Sequence, residues 1–419
     1  MSYNRAKTAT RSFGDRNLRA SIYATDAIRS FAIGYFSIIF VIVANDMGTG
    51  ALGIGIITAA SVSSGIVITY FLNRLANKKG AKIPLAISGI LMAGTGVVVL
   101  FSHSTIELFL AAFLGFLPPS GGLFVAALAE GALAQTPSEE RTKVFARNGL
   151  IVTASGALGA LFAAFPTLLG LNQNTGIQLL TMFYSILGIL LSLVALSIID
   201  SVPRSNEIKG PLEPESSSTK SAAHSPTRQG TSSIINRLAL LFVADSAGSG
   251  IVTPTLIIYW LRVHFGFSVV DLSALFFGID VLSAVSFPLA VKLSRKIGLL
   301  NTAVFTHIPS SILLMAVPFA PIGIVAALLL LSRALLVEMD VPTRQSYIAS
   351  IVKPQERRSA AARTSMGKQI GRAVGPAIGG TVYASIGAVA PFVIGGLVKI
   401  SYDLTLWRSF RKVQSREDS

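Results

Sequence analysis

Asp280 is an acidic residue in the middle of a long apolar run. No Lys or Arg occurs between Asp271 and Val291. Burial away from a cation disfavours the charged form of a carboxylate, and such residues are rare inside membrane-spanning segments. This setting therefore predicts a group that binds and releases a proton. A fixed ion pair with Arg333 or Arg372 is the structural alternative.

Other charged residues also interrupt apolar runs, where a charge is costly unless it is paired or functional. We expect these residues to line a substrate or proton pathway. Besides Asp280, the candidate set, which includes one aromatic residue, is Asp26, Arg29, Tyr35, Asp245, Arg333, Asp340 and Arg372.

The spacing of some of these charges also predicts structural pairs. Asp26 and Arg29 are three residues apart and share a helix face, so a local ion pair is expected. Arg333, Asp340 and Arg344 share one face as well, because their separations are close to whole helical turns. Asp340 and Arg344 lie nearer the predicted cytoplasmic side, where we expect gate or interface charges.

Cysteine, histidine and glycine patterns exclude several kinds of chemistry. The chain has no Cys, and its 4 His have no metal-ligand spacing. The G-x-G-x-x-G string at Gly48–Gly53 lies in a short predicted turn and follows no strand, so no dinucleotide is expected. No G-x-x-x-x-G-K-[ST] motif for ATP hydrolysis occurs. We therefore expect no cofactor, no metal and no enzymatic activity.

Composition indicates that the elements holding these residues span a membrane. Hydrophobic residues make up 52% of the chain and charged residues only 13%, against about 25% charged in soluble proteins. Continuous apolar runs long enough for bilayer-spanning helices, about 20 residues each, favour helices over a β-barrel. The runs are 22–45, 51–72, 83–101, 107–129, 148–169, 177–199, 236–261, 270–291, 299–318, 322–345, 366–386 and 389–407. An all-α polytopic membrane protein with twelve transmembrane helices is predicted.

The net charge of +15 is explained by topology. Most Lys and Arg fall in loops on one side of the predicted membrane, and Arg262 is the basic residue of the opposite loops. By the positive-inside rule both termini face the cytoplasm, and we expect the plasma membrane. Because loop bias accounts for the charge, nucleic-acid binding is not expected, and the lipid bilayer is the predicted environment.

The chain divides into two similar halves around a polar segment, 201–233, whose composition is typical of a linker. The predicted domains are six-helix bundles at 1–200 and 236–419, joined by a cytoplasmic linker at 201–235. Three short patterns recur in order in the two halves. They are Asp26 with Asp245, Leu75–Gly80 with Leu293–Gly298, and Pro137–Arg141 with Pro354–Arg358. Six helices per copy imply parallel repeats with a substrate site near the bilayer midplane.

Leu75, Ala76, Gly80, Lys82 and Leu85 match in place the loop pattern G-x-L-A-D-R-x-G-R-K-x-x-L. This pattern is typical of the major facilitator superfamily, which the chain resembles over nearly its whole length. The resemblance implies two six-helix parallel repeats and a secondary transporter that works by alternating access. It also implies conformational gate loops at Asn77, Lys78, Gly80, Arg295, Lys296 and Gly298.

Two further features refine this resemblance. Asn77 replaces the family's Asp, which helps to latch the two halves in the outward-facing state, so a weaker latch is implied. Asp340–Gln345 with Pro354 and Glu356 is similar to the helix 10 end of drug-efflux-like members. A helix-packing and flexing face is predicted at Gly371, Gly375, Pro376 and Gly379, and kinks are predicted at Pro118, Pro119 and Pro254.

The leading hypothesis is proton-coupled export of a small organic solute, by antiport, through a monomer. Import of an organic anion is the alternative, favoured by the membrane-depth cations Arg333, Arg372 and Lys399. The last two are otherwise interpreted as counter-ions. A transporter-like receptor that moves no solute is a third hypothesis.

The topology predicts that an impermeant thiol reagent will not reach the linker from outside the cell. Because the chain has no native Cys, a single Ser217→Cys substitution is a clean probe. The reagent should label Ser217→Cys only after the cells are permeabilised. Labelling in intact cells would contradict the cytoplasmic assignment.

Overall fold

The structure is a computed structural model, and it describes residues 2–80, 82–118, 121–133, 138–198, 228–340, 343, 344, 347 and 357–411. Parts of several predictions lie outside these residues. They are most of the 201–235 linker with Ser217, together with Pro119, Pro137, Pro342, Pro354, Glu356 and the side chain of Asn77.

The described chain is helical. The helices before residue 199 are α1 (Ser2–Asp46), α2 (Ala51–Lys79), α3 (Lys82–Leu100), α4 (Thr105–Ala112), α5 (Leu123–Leu133), α6 (Ser138–Phe162), α7 (Phe165–Leu168) and α8 (Gln173–Ile198). Those after residue 227 are α9 (Arg228–Ile251), α10 (Pro254–Phe265), α11 (Val269–Ile297), α12 (Leu299–Ala316), α13 (Gly323–Val337), α14 (Arg357–Ile386) and α15 (Ala390–Phe410), with a 3₁₀ turn at Val317–Phe319. Each predicted apolar run contains helical residues, and the all-α class is confirmed.

Seven helical segments of the described residues are long and apolar enough to cross a bilayer. They are Ala20–Asp46, Ala51–Ala76, Lys82–Leu100, Gln173–Ser197, Ile235–Phe265, Val269–Ile297 and Leu299–Phe319. Other predicted spans fall short of this criterion for local reasons. The fourth is divided between α4 and α5, α13 is short, and α15 carries Lys399 and Asp403 in its middle.

The predicted span at 236–261 lies within one bilayer-length helical segment, Ile235–Phe265, which is interrupted near its middle. Helices α9 and α10 are separated at Val252 and Thr253, where the Thr253 hydroxyl accepts a hydrogen bond from the Leu256 amide at 3.2 Å. Pro254 occupies the first turn of α10, a position at which the missing N–H of proline costs little. The predicted kink at Pro254 is therefore confirmed.

The predicted span at 107–129 is also broken into two helices. Gly115 and Gly122 in the intervening turn have φ angles of 71° and 70°. Glycine adopts this left-handed region without the steric cost that a Cβ brings. Pro118 lies in the same turn, so the predicted kink is a complete interruption of the helix.

The described chain forms two compact units. The first is residues 1–209 with 267–277, and the second is residues 210–266 with 278–419. The bundle boundaries at 1–200 and 236–419 stay a prediction.

Within the first unit, α1 packs closely against α6 through glycines. A Cβ at Gly159 would collide with the carbonyl oxygen of Phe31, and one at Gly34 would collide with the carbonyl of Gly156. Absence of these side chains lets the two backbones approach each other, as in other membrane helix pairs.

Within the second unit, α9 packs against α14 in a similar way. A Cβ at Gly371 would lie 2.5 Å from the Val243 carbonyl oxygen, and one at Gly379 would collide with the Ile251 carbonyl. Gly371 and Gly379 therefore lie at this close crossing, and the packing and flexing role of the Gly371–Gly379 face stays a prediction. In each unit, the helices of the first and fifth predicted spans therefore cross closely at glycines, α1 with α6 and α9 with α14. The similarity between the two halves of the sequence thus extends to their helix packing.

Gly159→Ala should destabilise the protein because its new Cβ meets backbone atoms that cannot move aside. The expected loss is about 1–3 kcal/mol, the usual cost of overpacking, measured as a lower melting temperature of the purified protein. Gly149→Ala is the matched control on the same helix, since nothing lies within 4 Å of its added Cβ. Equal melting temperatures for the two variants would contradict the close crossing.

Candidate functional site

Asp26 and Arg29 form the predicted local ion pair in the first unit. The guanidinium nitrogen Nη2 of Arg29 lies 2.8 Å from Oδ1 of Asp26, and the side chain of Asn148 on α6 donates to Oδ2 at 3.1 Å. Arg29 also donates to the Gly121 carbonyl at 3.2 Å. Both oxygens of the buried Asp26 carboxylate are therefore occupied, which favours the structural interpretation of this pair.

Tyr35 lies in an aromatic core of the first unit. Its fully buried ring lies 5.8 Å from that of Phe31, 5.7 Å from that of Phe162 and 6.3 Å from that of Tyr184, measured between centroids. Its hydroxyl has no hydrogen-bond partner among the described residues. Its role in a pathway stays a prediction, and the contacts seen are those of a packed core residue.

Arg344 connects two buried carboxylates in the second unit. Its Nη1 atom lies 2.9 Å from Oδ2 of Asp245 and 3.0 Å from Oδ2 of Asp340. The same nitrogen donates to the Tyr402 hydroxyl at 3.3 Å, and the guanidinium carbon lies 5.0 Å from the ring centroid of Phe242. Asp245 therefore has a cation partner that is remote in sequence.

Lys399 is a second partner of Asp245. Its ammonium nitrogen lies 3.4 Å from Oδ1 of Asp245 and donates to the Ser249 hydroxyl at 2.6 Å. With only 2% of its surface exposed, Lys399 is a counter-ion and does not snorkel to the membrane surface. Arg372, in contrast, is exposed on α14 and forms no ion pair with a described residue, so its role as a counter-ion stays a prediction.

His307 and Asp403 form a buried pair that the sequence analysis missed. The Nδ1 atom of His307 on α12 lies 2.8 Å from Oδ2 of Asp403 on α15. The two residues are 96 positions apart and lie on different helices, so no local spacing in the sequence connects them. The available signal was an acid one turn after Lys399 within an apolar run, the same type of signal that identified Asp280.

Asp280 has no such partner. It lies half-buried on α11 and forms no hydrogen bond or ion pair with the described residues. The predicted alternative partners, Arg333 and Arg372, do not pair with it, and the charged group that acts on it electrostatically is the carboxylate of Glu338. The Nε atom of Arg333 is buried and also has no hydrogen-bond partner among the described residues.

The loops that follow α2 and α11 have the same local geometry. Gly80 and Gly298 both have φ of 83° and end the preceding helix. The amide of Gly80 donates to the Ala76 carbonyl, and that of Gly298 to the Ser294 carbonyl, each at 2.9 Å. Because a helix end at this φ favours glycine, the repeated sequence folds into a repeated turn.

A family model described as Major Facilitator Superfamily matches residues 23–337 and 238–418. The chain belongs to this superfamily. Membership indicates a transporter rather than an enzyme. It also confirms the fold class predicted from the sequence, twelve helices in two parallel six-helix repeats.

The similar proteins and structures cover nearly the whole length of this chain. An uncharacterized membrane protein of Saccharomyces cerevisiae, YJR124C, is 23% identical, with 94% of each chain covered. The crystal structure of a mutant of the nucleoside transporter NupG has a TM-score of 0.68 at 13% identity, covering 94% of this chain and 99% of its own. That of a D-xylose-proton symporter has a TM-score of 0.68 at 15% identity, covering 93% and 97%. These structures show the fold.

The exposed basic residues of the two repeated segments, Leu75–Gly80 and Leu293–Gly298, are Lys78, Lys79, Arg295 and Lys296. In the superfamily such loops are expected to act as gates between conformations. This role, and that of Asn77, stays a prediction for the present chain.

Arg344→Met should strongly destabilise the protein because it removes the cation shared by Asp245 and Asp340. Breaking a buried ion pair typically lowers the free energy of unfolding by about 3–5 kcal/mol. We therefore expect a much lower melting temperature or a much lower yield of folded protein. Arg372→Met is the matched control, since Arg372 is an exposed cation in the same unit. Similar thermal stability of the two variants would show that the Arg344 network is not structural.

Proposed function

We propose that the chain is a secondary active transporter that exports a small organic solute in exchange for protons. Membership of the superfamily supports the transporter class. The proposal extends to a drug-efflux-like monomer in the plasma membrane with both termini in the cytoplasm. The basic loops support this orientation, and the sequence pattern at Asp340–Gln345 supports the drug-efflux-like type.

The observation that carries proton coupling is the setting of Asp280. A half-buried carboxylate without a cation partner has little to hold it permanently in the charged form. Glu338, the charged group that acts on Asp280, has a charge of the same sign and supplies no counter-charge. Asp280 is thus suited to take up a proton from one side of the membrane and release it to the other as access alternates. By contrast, Asp26 and Asp245 are held by cations and are suited to structural roles.

Import of an organic anion is the second candidate function. The buried and unpartnered Nε atom of Arg333 favours it, because a guanidinium binds a carboxylate well. Of the other two cations considered, Lys399 is neutralised by Asp245 and Arg372 is exposed. Arg333 is thus one available cation where the sequence predicted three, so the support for an anion importer is weaker than expected.

Vesicle transport separates these functions by direction. The probes are uridine, D-xylose and carboxyfluorescein, which represent a nucleoside, a sugar and an organic anion. Export predicts uptake of a probe into inside-out vesicles when the interior is acidic, and loss of uptake when the gradient is collapsed. Uptake into right-side-out vesicles driven by an acidic exterior would favour the importer. Absence of gradient-driven uptake in both orientations would contradict proton coupling and favour a receptor.

Asp280→Asn should abolish gradient-driven uptake and retain the fold. Asparagine preserves size and imitates the protonated carboxyl, so exchange of labelled for unlabelled probe without a gradient should continue. Asp271→Asn is the control on the same helix, because Asp271 is exposed and accepts hydrogen bonds from Ser268 that an amide oxygen can also accept. Normal uphill transport by Asp280→Asn would exclude Asp280 as the proton carrier.

A further inference from the structure

We infer that the His307–Asp403 pair is a second proton-binding site, and that Lys399 is the cation that replaces its proton. This inference rests on the proposed proton coupling and identifies further residues for it. It concerns the second unit alone.

The pair is enclosed by protein. His307 and Asp403 are 3% and 2% exposed, and the hydrogen bond between Nδ1 and Oδ2 joins α12 to α15. A buried carboxylate of this kind requires a proton, a cation or both. Its imidazole partner is the side chain whose charge changes most readily near neutral pH. The pair can therefore exist with or without one additional proton.

Among the residues that ion pairs join around it, the charges are balanced only when the pair holds that proton. The buried network contains the carboxylates Asp245, Asp340 and Asp403 and the cations Arg344 and Lys399. With a neutral imidazole and an ionised Asp403, the network has one excess negative charge. An excess charge of this kind is costly in a buried site. A proton on either His307 or Asp403 neutralises it.

Asp403 is the member of the network best placed to exchange a proton. Asp245 and Asp340 both contact the guanidinium of Arg344, and Asp245 also contacts Lys399. Arginine remains charged in proteins, so these two carboxylates have a permanent partner. Asp403 is paired with an imidazole, which does not supply a permanent charge.

Other titratable and charged groups face the pair from the elements around it. They are Asp245 on α9, Arg333 on α13, Asp340 directly after α13, Arg344, and Lys399 and Tyr402 on α15. Arg333 and Glu338 have opposite charges and leave the balance unchanged. Lys368 on α14 lies 4.8 Å from the ring centroid of Phe242. It acts electrostatically on Asp245 and Asp340 without forming an ion pair with a described acid, so it is not counted among the ion-paired residues.

Lys399 is positioned to respond when the proton leaves. It lies one helical turn before Asp403 on α15, the spacing at which two side chains meet on a helix face. Its present contact with Asp245 is long, 3.4 Å, and Asp245 keeps Arg344 at 2.9 Å. Loss of the proton from Asp403 would therefore draw Lys399 from Asp245 towards Asp403. Proton binding would thus be coupled to contacts between α9 and α15.

Nitrogen NMR of the imidazole tests the inference directly. Substituting His103, His224 and His264 by Gln leaves His307 as the single histidine, because the chain has 4. The full-length protein, labelled with ¹⁵N-histidine in nanodiscs, is titrated from about pH 5 to about pH 9. We expect both ring nitrogens to change shift in a single step. An imidazole that keeps one state over the whole range would overturn the inference.

Substitution of Lys399 tests the exchange. In Lys399→Leu no cation can replace the proton, so the midpoint should move to higher pH by about one to two units, or roughly tenfold to a hundredfold in proton affinity. The matched control is Lys292→Leu, an exposed lysine in the same unit, which should leave the midpoint unchanged. An unchanged midpoint in Lys399→Leu would overturn the role of Lys399. The titration of His307 needs no change in the pair itself, so it remains decisive if Lys399→Leu does not fold.

The experiment also separates this inference from the proposed function. The NMR titration requires no transported solute. If His307 titrates but transport does not depend on the proton gradient, the result would support the proton-binding site and contradict the proton-coupled function. Gradient-driven transport with a His307 that never titrates would support the function and overturn the site.

Discussion

The buried guanidinium of Arg344 is the interaction on which the second unit depends. It holds Asp340, four residues earlier in the chain, and Asp245 on α9, and it also donates to Tyr402 on α15. One side chain therefore connects three separate parts of the sequence. Each carboxylate would be an uncompensated charge without it, and such a charge is far more costly in an apolar interior than a missing neutral hydrogen bond.

The two units use the same layout with different electrostatics. In the first unit, Asp26 is satisfied locally by Arg29 on its own helix and by the amide of Asn148. In the second unit, the corresponding Asp245 depends on Arg344 and Lys399, which lie on other parts of the chain. A local pair keeps its geometry whenever α1 is helical. A pair between elements changes when those elements move, so the second unit is the better place for coupling charge to conformation.

Sequence predicts the helices better than their continuity. Apolar runs identify each membrane segment because burial in lipid depends on composition, yet the break between α4 and α5 depends on backbone angles at Gly115 and Gly122. Periodicity likewise predicts the Asp26–Arg29 pair because both residues share one helix. It gives no partner for Asp245, since Arg344 is 99 residues away and nothing local specifies that contact. The His307–Asp403 pair was missed for the same reason.

Helical geometry explains why Asp245 meets those partners. The glycine crossing brings α14 against Val243, Ser246, Ala247 and Gly250, whose spacing is that of one helix face. Leu238, Phe242 and Asp245 follow the same spacing on a neighbouring face, and Leu238 and Phe242 pack in a core cluster with Tyr402. Asp245 is consequently directed towards α15 and Arg344, away from the α14 crossing. The glycines on α14, which carry no charge, thereby decide which cations the carboxylate can reach.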